Sequence, residues 1–177
     1  MLEEFFNPKS VAVVGASTSP EKLGYAVLEN LVEGGYIDQG EIYPINPKAD
    51  QILGVKAYPS VLDVPQDIDL AVIVIPYPYV PGVLEECGKK DIPAVVVISA
   101  GFREAGMDGL ERELELIEIA QKYDMRLIGP NCLGVIDTFT PMNASFSAGT
   151  PPSGPMAFMS QSGALGTAIL DWAQAGR

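Results

Sequence analysis

The chain of 177 residues contains no histidine. Any step that needs an imidazole, as base, nucleophile or metal ligand, must come from another polypeptide or another segment. Cysteine is scarce as well. Cys87 and Cys132 are the two present, and their spacing matches no metal or redox motif. That usage suits a reduced, cytoplasmic setting. Basic side chains are few, 11 Lys and Arg against 23 Asp and Glu, giving a net charge of −12. A field of that sign opposes binding to nucleic acid. It still allows a small anion held by a few backbone N–H groups and one lysine. No apolar run reaches the roughly 18 residues that cross a bilayer. The start, MLEEFFNPKS, is acidic and lacks the basic and apolar stretches of a signal peptide. No membrane association is expected.

What is present is a large apolar fraction, 47% of residues, enough for a sizeable core. It falls in short β-branched runs: VAVVG (11–15), EIYPIN (41–46), LAVIVIP (70–76), AVVVISAG (94–101) and RLIGPNCLGVI (126–136). Each reads as a strand, and unbroken rather than alternating hydrophobicity implies burial on both faces, as in a parallel sheet covered by helices. Helical patterns lie between them. One covers 25–35, with apolar residues at Ala26, Val27, Leu28, Leu31 and Val32 and a stop at Gly34 and Gly35. A shorter one covers 80–90. The third covers 108–123, with Leu110, Leu114, Ile117 and Ala120 as its apolar stripe. A short helix or a turn is expected at 60–64. The order predicts an α/β fold, a Rossmann-like doubly wound parallel sheet whose ligand site lies at the strand carboxyl ends. After Asp137 the composition shifts. Residues 138–155 are rich in Thr, Ser, Pro and Gly and read as a linker or an ordered loop. MAFMS then reads as a strand, SQSG as a turn and 164–175 as a helix. The division expected is therefore a first domain at 1–137, a connection at 138–155, and the opening of a second α/β domain at 156–177.

The first strand-to-helix turn carries Gly15, Ala16, Ser17, Thr18, Ser19 and Gly24. Small residues there aim free N–H groups past the strand, and the following helix adds partial positive charge, so phosphate or pyrophosphate is the expected guest. A plain structural turn is the alternative. The Gly-x-Gly-x-x-Gly spacing of a dinucleotide site is absent. The second strand ends in Asn46, Pro47 and Lys48 rather than in an acid for ribose hydroxyls. Lys48 suits a ligand with an extra phosphate near its ribose, NADP or coenzyme A, unless it is simply a solvated lysine. Pro76 and Pro78 stiffen the third strand's end, where Tyr77 or Tyr79 either packs on a base or serves as an ordinary aromatic. SQSG at 160–163 is a second such turn. Ser162 can cap the helix, leaving Gly163 and Ala164 N–H groups for an anion, or it can be a cap alone.

Taken in order, VGAS (14–17), NPK (46–48), ISAGF (98–102), GPNCLG (129–134) and SQSG (160–163) resemble the α-type part of the ADP-forming acyl-CoA synthetases, ligases related to succinyl-CoA synthetase. The resemblance runs through nearly the whole chain. It implies a CoA-binding first domain and the start of a flavodoxin-like second one. It implies an enzyme that converts acyl-CoA, ADP and phosphate to acid, CoA and ATP through an acyl phosphate and a phosphohistidine. Residues 17–24 would lie near the CoA phosphates, Lys48 at the nucleotide end, and Pro76 and Tyr77 on the adenine side. Ile98, Ser99 and Ala100 would border the pantetheine. Asn131 and Cys132 would sit near the thiol and the transferred phosphate. Ser162 and Gly163 would hold the phosphate of the phosphohistidine. ATP or ADP would bind on missing or partner segments, an ATP-grasp β part among them. With no histidine the chain is expected to be inactive alone, as a piece of a larger enzyme. The competing readings are a stand-alone CoA-binding or sensor module and, behind it, an NADP-dependent reductase. Acyl substrate, the choice of ADP or GDP, and homo-oligomer formation are left open.

Overall fold

A computed structural model describes residues 2–175. Its centre is a five-stranded parallel sheet made of β1 (Ser10–Val14), β2 (Glu41–Ile45), β5 (Leu70–Ile73), β6 (Ala94–Val97) and β7 (Arg126–Ile128), in the order β2-β1-β5-β6-β7. The unbroken apolar runs have a simple cause. Along β1, Val11 and Val13 enter the core on one face while Ala12 and Val14 enter the core on the other. In β5 the pairs are Leu70 with Val72 and Ala71 with Ile73, and in β6 they are Ala94 with Val96 and Val95 with Val97. Neither face meets water, so no polar alternation is needed.

One face is covered by α2 (Val80–Lys89) and α3 (Met107–Lys122). α2 buries Val80, Leu84, Cys87 and Gly88, spaced as one helical stripe. A side chain at Gly88 would strike the Tyr123 ring, so the glycine allows the end of α3 to close on α2. Glu85 clasps the same junction by accepting from Lys122 Nζ and the Tyr123 hydroxyl. The buried stripe of α3 is Gly109, Leu116, Ile119 and Ala120. That corrects the expected stripe: Leu114 and Ile117 are 48% and 40% exposed. The helix carries apolar residues on two neighbouring faces, and the tight approach of Gly109 to the Phe102 carbonyl selects the one that packs.

The other face is covered by α1 (Leu23–Glu33) and a two-stranded antiparallel unit, β8 (Gly134–Asp137) with β9 (Met142–Ser145). The stretch 126–136, expected as a single strand, is thus two: β7 ends at Ile128, and the chain turns at Gly129 (φ 94) and Asn131 (φ 54) before β8. β9 lies within the segment expected as linker or ordered loop. Its inward residues include Asn143 and Ser145, fully buried but satisfied. Ser145 Oγ donates to Asn143 Oδ1, and Asn143 Nδ2 donates to the Gly149 carbonyl. Asn30 of α1 donates to the carbonyls of Ser145 and Ser147, which fastens this loop to the helix. The expected strand at 156–160 is not formed. The segment is irregular, with Met156 and Met159 more than 90% exposed, and among the described residues no strand pairs with it. α4 (Gly163–Ala175) follows as expected.

The β2-to-β5 crossover lacks a long helix. It holds a small hairpin of β3 (Gln51–Ile52) and β4 (Val55–Lys56) and a single 3-10 turn at Val61–Asp63. Tyr58 hydrogen-bonds to both Pro44 and Asn46, shielding the outer edge of β2. Among the described residues no helix is long and apolar enough to cross a membrane.

Complete burial raises the Cys87 thiol from its ordinary 9.0 to about 12, with Glu86 adding to the shift. The native state therefore keeps a proton that the unfolded chain loses above its own value. Stability from this group is full below about pH 9 and is lost as the pH rises toward 12. Urea unfolding across that window is expected to lose about 1.4 kcal/mol per pH unit from this thiol, and Cys87→Ala to flatten that slope.

Candidate functional site

The strand order reverses between β1 and β5, and there the carboxyl ends diverge to leave a crevice. A cleft of about 770 Å³ occupies it. Its floor is set by two glycines. Gly15 has φ 91, and a Cβ there would lie 2.3 Å from the Val74 carbonyl oxygen. A Cβ on Gly24 would lie 2.0 Å from the Gly15 carbonyl oxygen. The start of α1 is thus pressed directly on the end of β1. The Gly-x-Gly-x-x-Gly spacing is missing, but its close helix–strand approach is achieved with a longer interval.

The start of α1 has no side-chain cap and no acid in its first turn. Helix geometry leaves the N–H groups of Leu23 and Gly24 without intrahelical partners, and both residues line the cleft with Lys22. A backbone donor pair beside a lysine is an anion-binding arrangement. Nearby, Ser17 is buried, its hydroxyl accepting from the Ser19 N–H. Asn46 donates to the Ala16 carbonyl at 2.8 Å and accepts from the Lys48 N–H at 2.8 Å. It therefore ties the end of β2 to the first turn. Pro47 and Lys48 are exposed beyond it.

The walls come from the next two strands. Val74, Ile75 and Pro76 extend β5, and Ile98, Ser99 and Ala100 extend β6. Ser99 braces them by accepting from the Ile75 N–H at 3.1 Å, while its carbonyl accepts from the Asn131 N–H. This places Asn131 and Cys132 on the cleft, with Leu133, Phe146 and Gln161 completing that part. The Cys132 thiol donates to the Val97 carbonyl, and burial pushes it up to about 11. It is a protonated wall group at neutral pH, not a thiolate. At the start of α4, Ser162 Oγ accepts from the Leu165 N–H, a helix cap. Gly163 and Ala164 line the cleft.

Of the residues singled out in the sequence, Gly15, Gly24, Pro76, Ile98, Ser99, Ala100, Asn131, Cys132 and Gly163 meet on this one cleft. Ser17, Thr18, Ser19, Asn46, Pro47, Lys48, Tyr77 and Ser162 stand outside its lining. Tyr77 lies behind the wall, against Gly101 and under Arg112. Lys22 falls within the 17–24 span that the resemblance places near phosphates, but nothing in the sequence marks it apart from its neighbours. Phe146 gave no such signal, because its segment reads as a polar connection.

Residues 9–138 match the CoA binding domain family. The chain is 54% identical over 164 residues to the acetate–CoA ligase (ADP-forming) of Methanocaldococcus jannaschii, covering 93% of this chain and 22% of that protein. It is 50% identical over 175 residues to the α subunit of acetate–CoA ligase (ADP-forming) I of Pyrococcus furiosus, covering 97% and 37%. The solved structure of the apo form of the dinucleotide-forming acetyl-coenzyme A synthetase 1 of Candidatus Korarchaeum cryptofilum superposes with a TM-score of 0.95 at 45% identity, over 99% of this chain and 38% of that one. The chain thus spans well under half the length of these relatives. With a switch-point cleft, an uncapped helix start and a sequence match over most of its length, the chain belongs to the CoA-binding domain family.

Proposed function

We propose that the chain supplies the CoA-binding part of an ADP-forming acyl-CoA synthetase. The observation that carries this reading is the cleft itself. It joins an uncapped helix start with Lys22, an apolar corridor of Val74, Ile75, Pro76 and Ile98, and a polar region at Asn131 and Gln161. That sequence of surfaces fits a pyrophosphate, a pantetheine arm and a thiol in turn. Leu23 and Gly24 N–H groups with Lys22 would hold the pyrophosphate. Lys48 would meet the ribose phosphate, and Asn131 would stand by the thiol. The N–H groups of Gly163 and Ala164, at a helix start with positive partial charge, would take a transferred phosphoryl group.

Such a site orients and neutralises charge, which is most of what phosphoryl transfer asks of a protein. The reaction proposed for the assembled enzyme is acyl-CoA, ADP and phosphate to acid, CoA and ATP. Its phosphohistidine and its ATP or ADP site would lie on other segments or on a partner, since this sequence has no histidine. The net charge of −12 and the two reduced cysteines favour a cytoplasmic protein without nucleic-acid partners. The acyl group is not assigned.

Calorimetric titration of the chain with CoA, NADP and NAD in parallel tests the reading. CoA alone is expected to bind, and binding of NADP in its place would replace the proposal with a reductase. Lys22→Ala is expected to weaken CoA and 3′-dephospho-CoA alike, by roughly tenfold for a lost charge-assisted contact. Lys48→Ala should weaken CoA more than 3′-dephospho-CoA, and equal losses would remove Lys48 from the ribose phosphate. Ser162→Asp adds negative charge at the start of α4, and in the assembled enzyme it should sharply reduce histidine phosphorylation. Unchanged phosphorylation would leave Ser162 and its turn as a cap only. Iodoacetamide at neutral pH should label neither cysteine in the folded chain and both after unfolding, as read by intact mass. Rapid native labelling of Cys132 would contradict its raised thiol value.

A further inference from the structure

The wall of the cleft is held from behind by one side chain of α3. Arg112 donates from Nη1 to the Gly101 carbonyl at 2.9 Å. Its guanidinium carbon also lies 4.3 Å from the centre of the Tyr77 ring. Among the described residues it has no carboxylate partner within 4 Å, in contrast to Arg103, which pairs with Glu113 at 3.0 Å. Tyr77 in turn packs on Gly101. A Cβ there would come within 2.5 Å of the ring, at a φ of 109 that already favours glycine. Gly101 is held by both of its backbone polar groups, because its N–H donates to Glu104 Oε1. Burial alone would raise the Glu104 carboxyl, but the backbone N–H groups of Gly101, Glu104 and Phe102 hold it below its usual value, as an ionised acceptor.

Both elements that Arg112 touches continue into the cleft. Pro76 precedes Tyr77, and Ala100 precedes Gly101; both line it. A planar guanidinium can donate in its plane to a carbonyl while its face stacks on a ring, whereas a lysine ammonium is a compact point charge with no face to stack. We propose that Arg112 is a positioning residue for the ligand cleft: by stacking on Tyr77 and binding the Gly101 carbonyl, it fixes the separation of the 74–77 and 98–102 walls, and so the fit of the CoA chain between them. This rests on the reading of the cleft as a CoA site.

The test pairs two measurements on the full chain. CoA affinity is read by calorimetry, and hydrogen exchange over 99–102 is read by mass spectrometry without ligand. Arg112→Ala is expected to weaken CoA by roughly five- to tenfold and to speed exchange at 99–102. Arg112→Lys should recover little of either, although it keeps the charge, and it carries the test if the alanine variant fails to fold. In a Tyr77→Leu background the Arg112→Ala loss should shrink, since the two act as a unit. Faster exchange with unchanged affinity would make the contact structural only and overturn the proposal. Weaker affinity with unchanged exchange would mean that Arg112 touches the ligand itself, which also overturns it. Full rescue by lysine would reduce the effect to charge and do the same. If the unsubstituted chain binds no CoA, the reading of the cleft falls first, and this proposal with it.

Discussion

The meeting of three backbones at the end of β1 is the constraint on which the site depends. The Val74 carbonyl faces Gly15, and the Gly15 carbonyl faces Gly24, each so closely that no Cβ fits between them. This contact fixes where α1 begins. The cleft opens beside this contact, where the strand order reverses. Asn46 adds a third tie by hydrogen-bonding the Ala16 carbonyl. The turn is therefore tied down from three sides by the protein itself. Its unpaired N–H groups need no reorganisation to meet an anion, which lowers the cost of binding.

The sheet was largely legible because burial on both faces leaves a simple mark, a run of Val, Ile, Leu and Ala without alternation. β1, β5 and β6 carry that mark in full. The α3 face was not legible. Leu114 and Ile117 are as apolar as Leu116 and Ile119, and the choice between stripes is made by Gly109 closing on the Phe102 carbonyl, a tertiary fact. β9 was hidden for the opposite reason. Its Asn143 and Ser145 look like loop residues, but they bury at little cost because each finds a partner within the same segment. At 156–160 an apolar run suggests a strand, but among the described residues it has no neighbour to pair with. Strand character in a short apolar run depends on a partner as much as on composition.

The site divides in the same way. Residues whose role is backbone geometry, such as Gly15 and Gly24, could be read from spacing and small size. Residues brought in from the β8–β9 side, Leu133 and Phe146, could not, because their place on the cleft follows from the way that hairpin packs beside α1. Lys22 lies between these cases. Its chemistry was visible, but its relevance follows from the uncapped start of α1, which the sequence does not announce.

What the cleft offers chemically is restraint rather than reactivity. The Cys132 thiol is held protonated by burial and donates to a carbonyl. The Ser99 and Ser17 hydroxyls and the Asn46 amide are engaged with backbone groups. The groups left to meet a ligand are N–H donors at two helix starts, a lysine, the side chains of Asn131 and Gln161, and apolar walls. Such groups bind and align. They also act at short range, which matters in a chain of net charge −12. The overall field repels an anionic ligand, but over distances that salt screens within about 8 Å at physiological ionic strength. The donors at the starts of α1 and α4 act at contact, where screening is weak. Recognition of a small anionic ligand by an acidic protein is consistent on these terms: the specific attraction is built into the backbone of the cleft, and the opposing charge is spread over a surface that water and ions already neutralise.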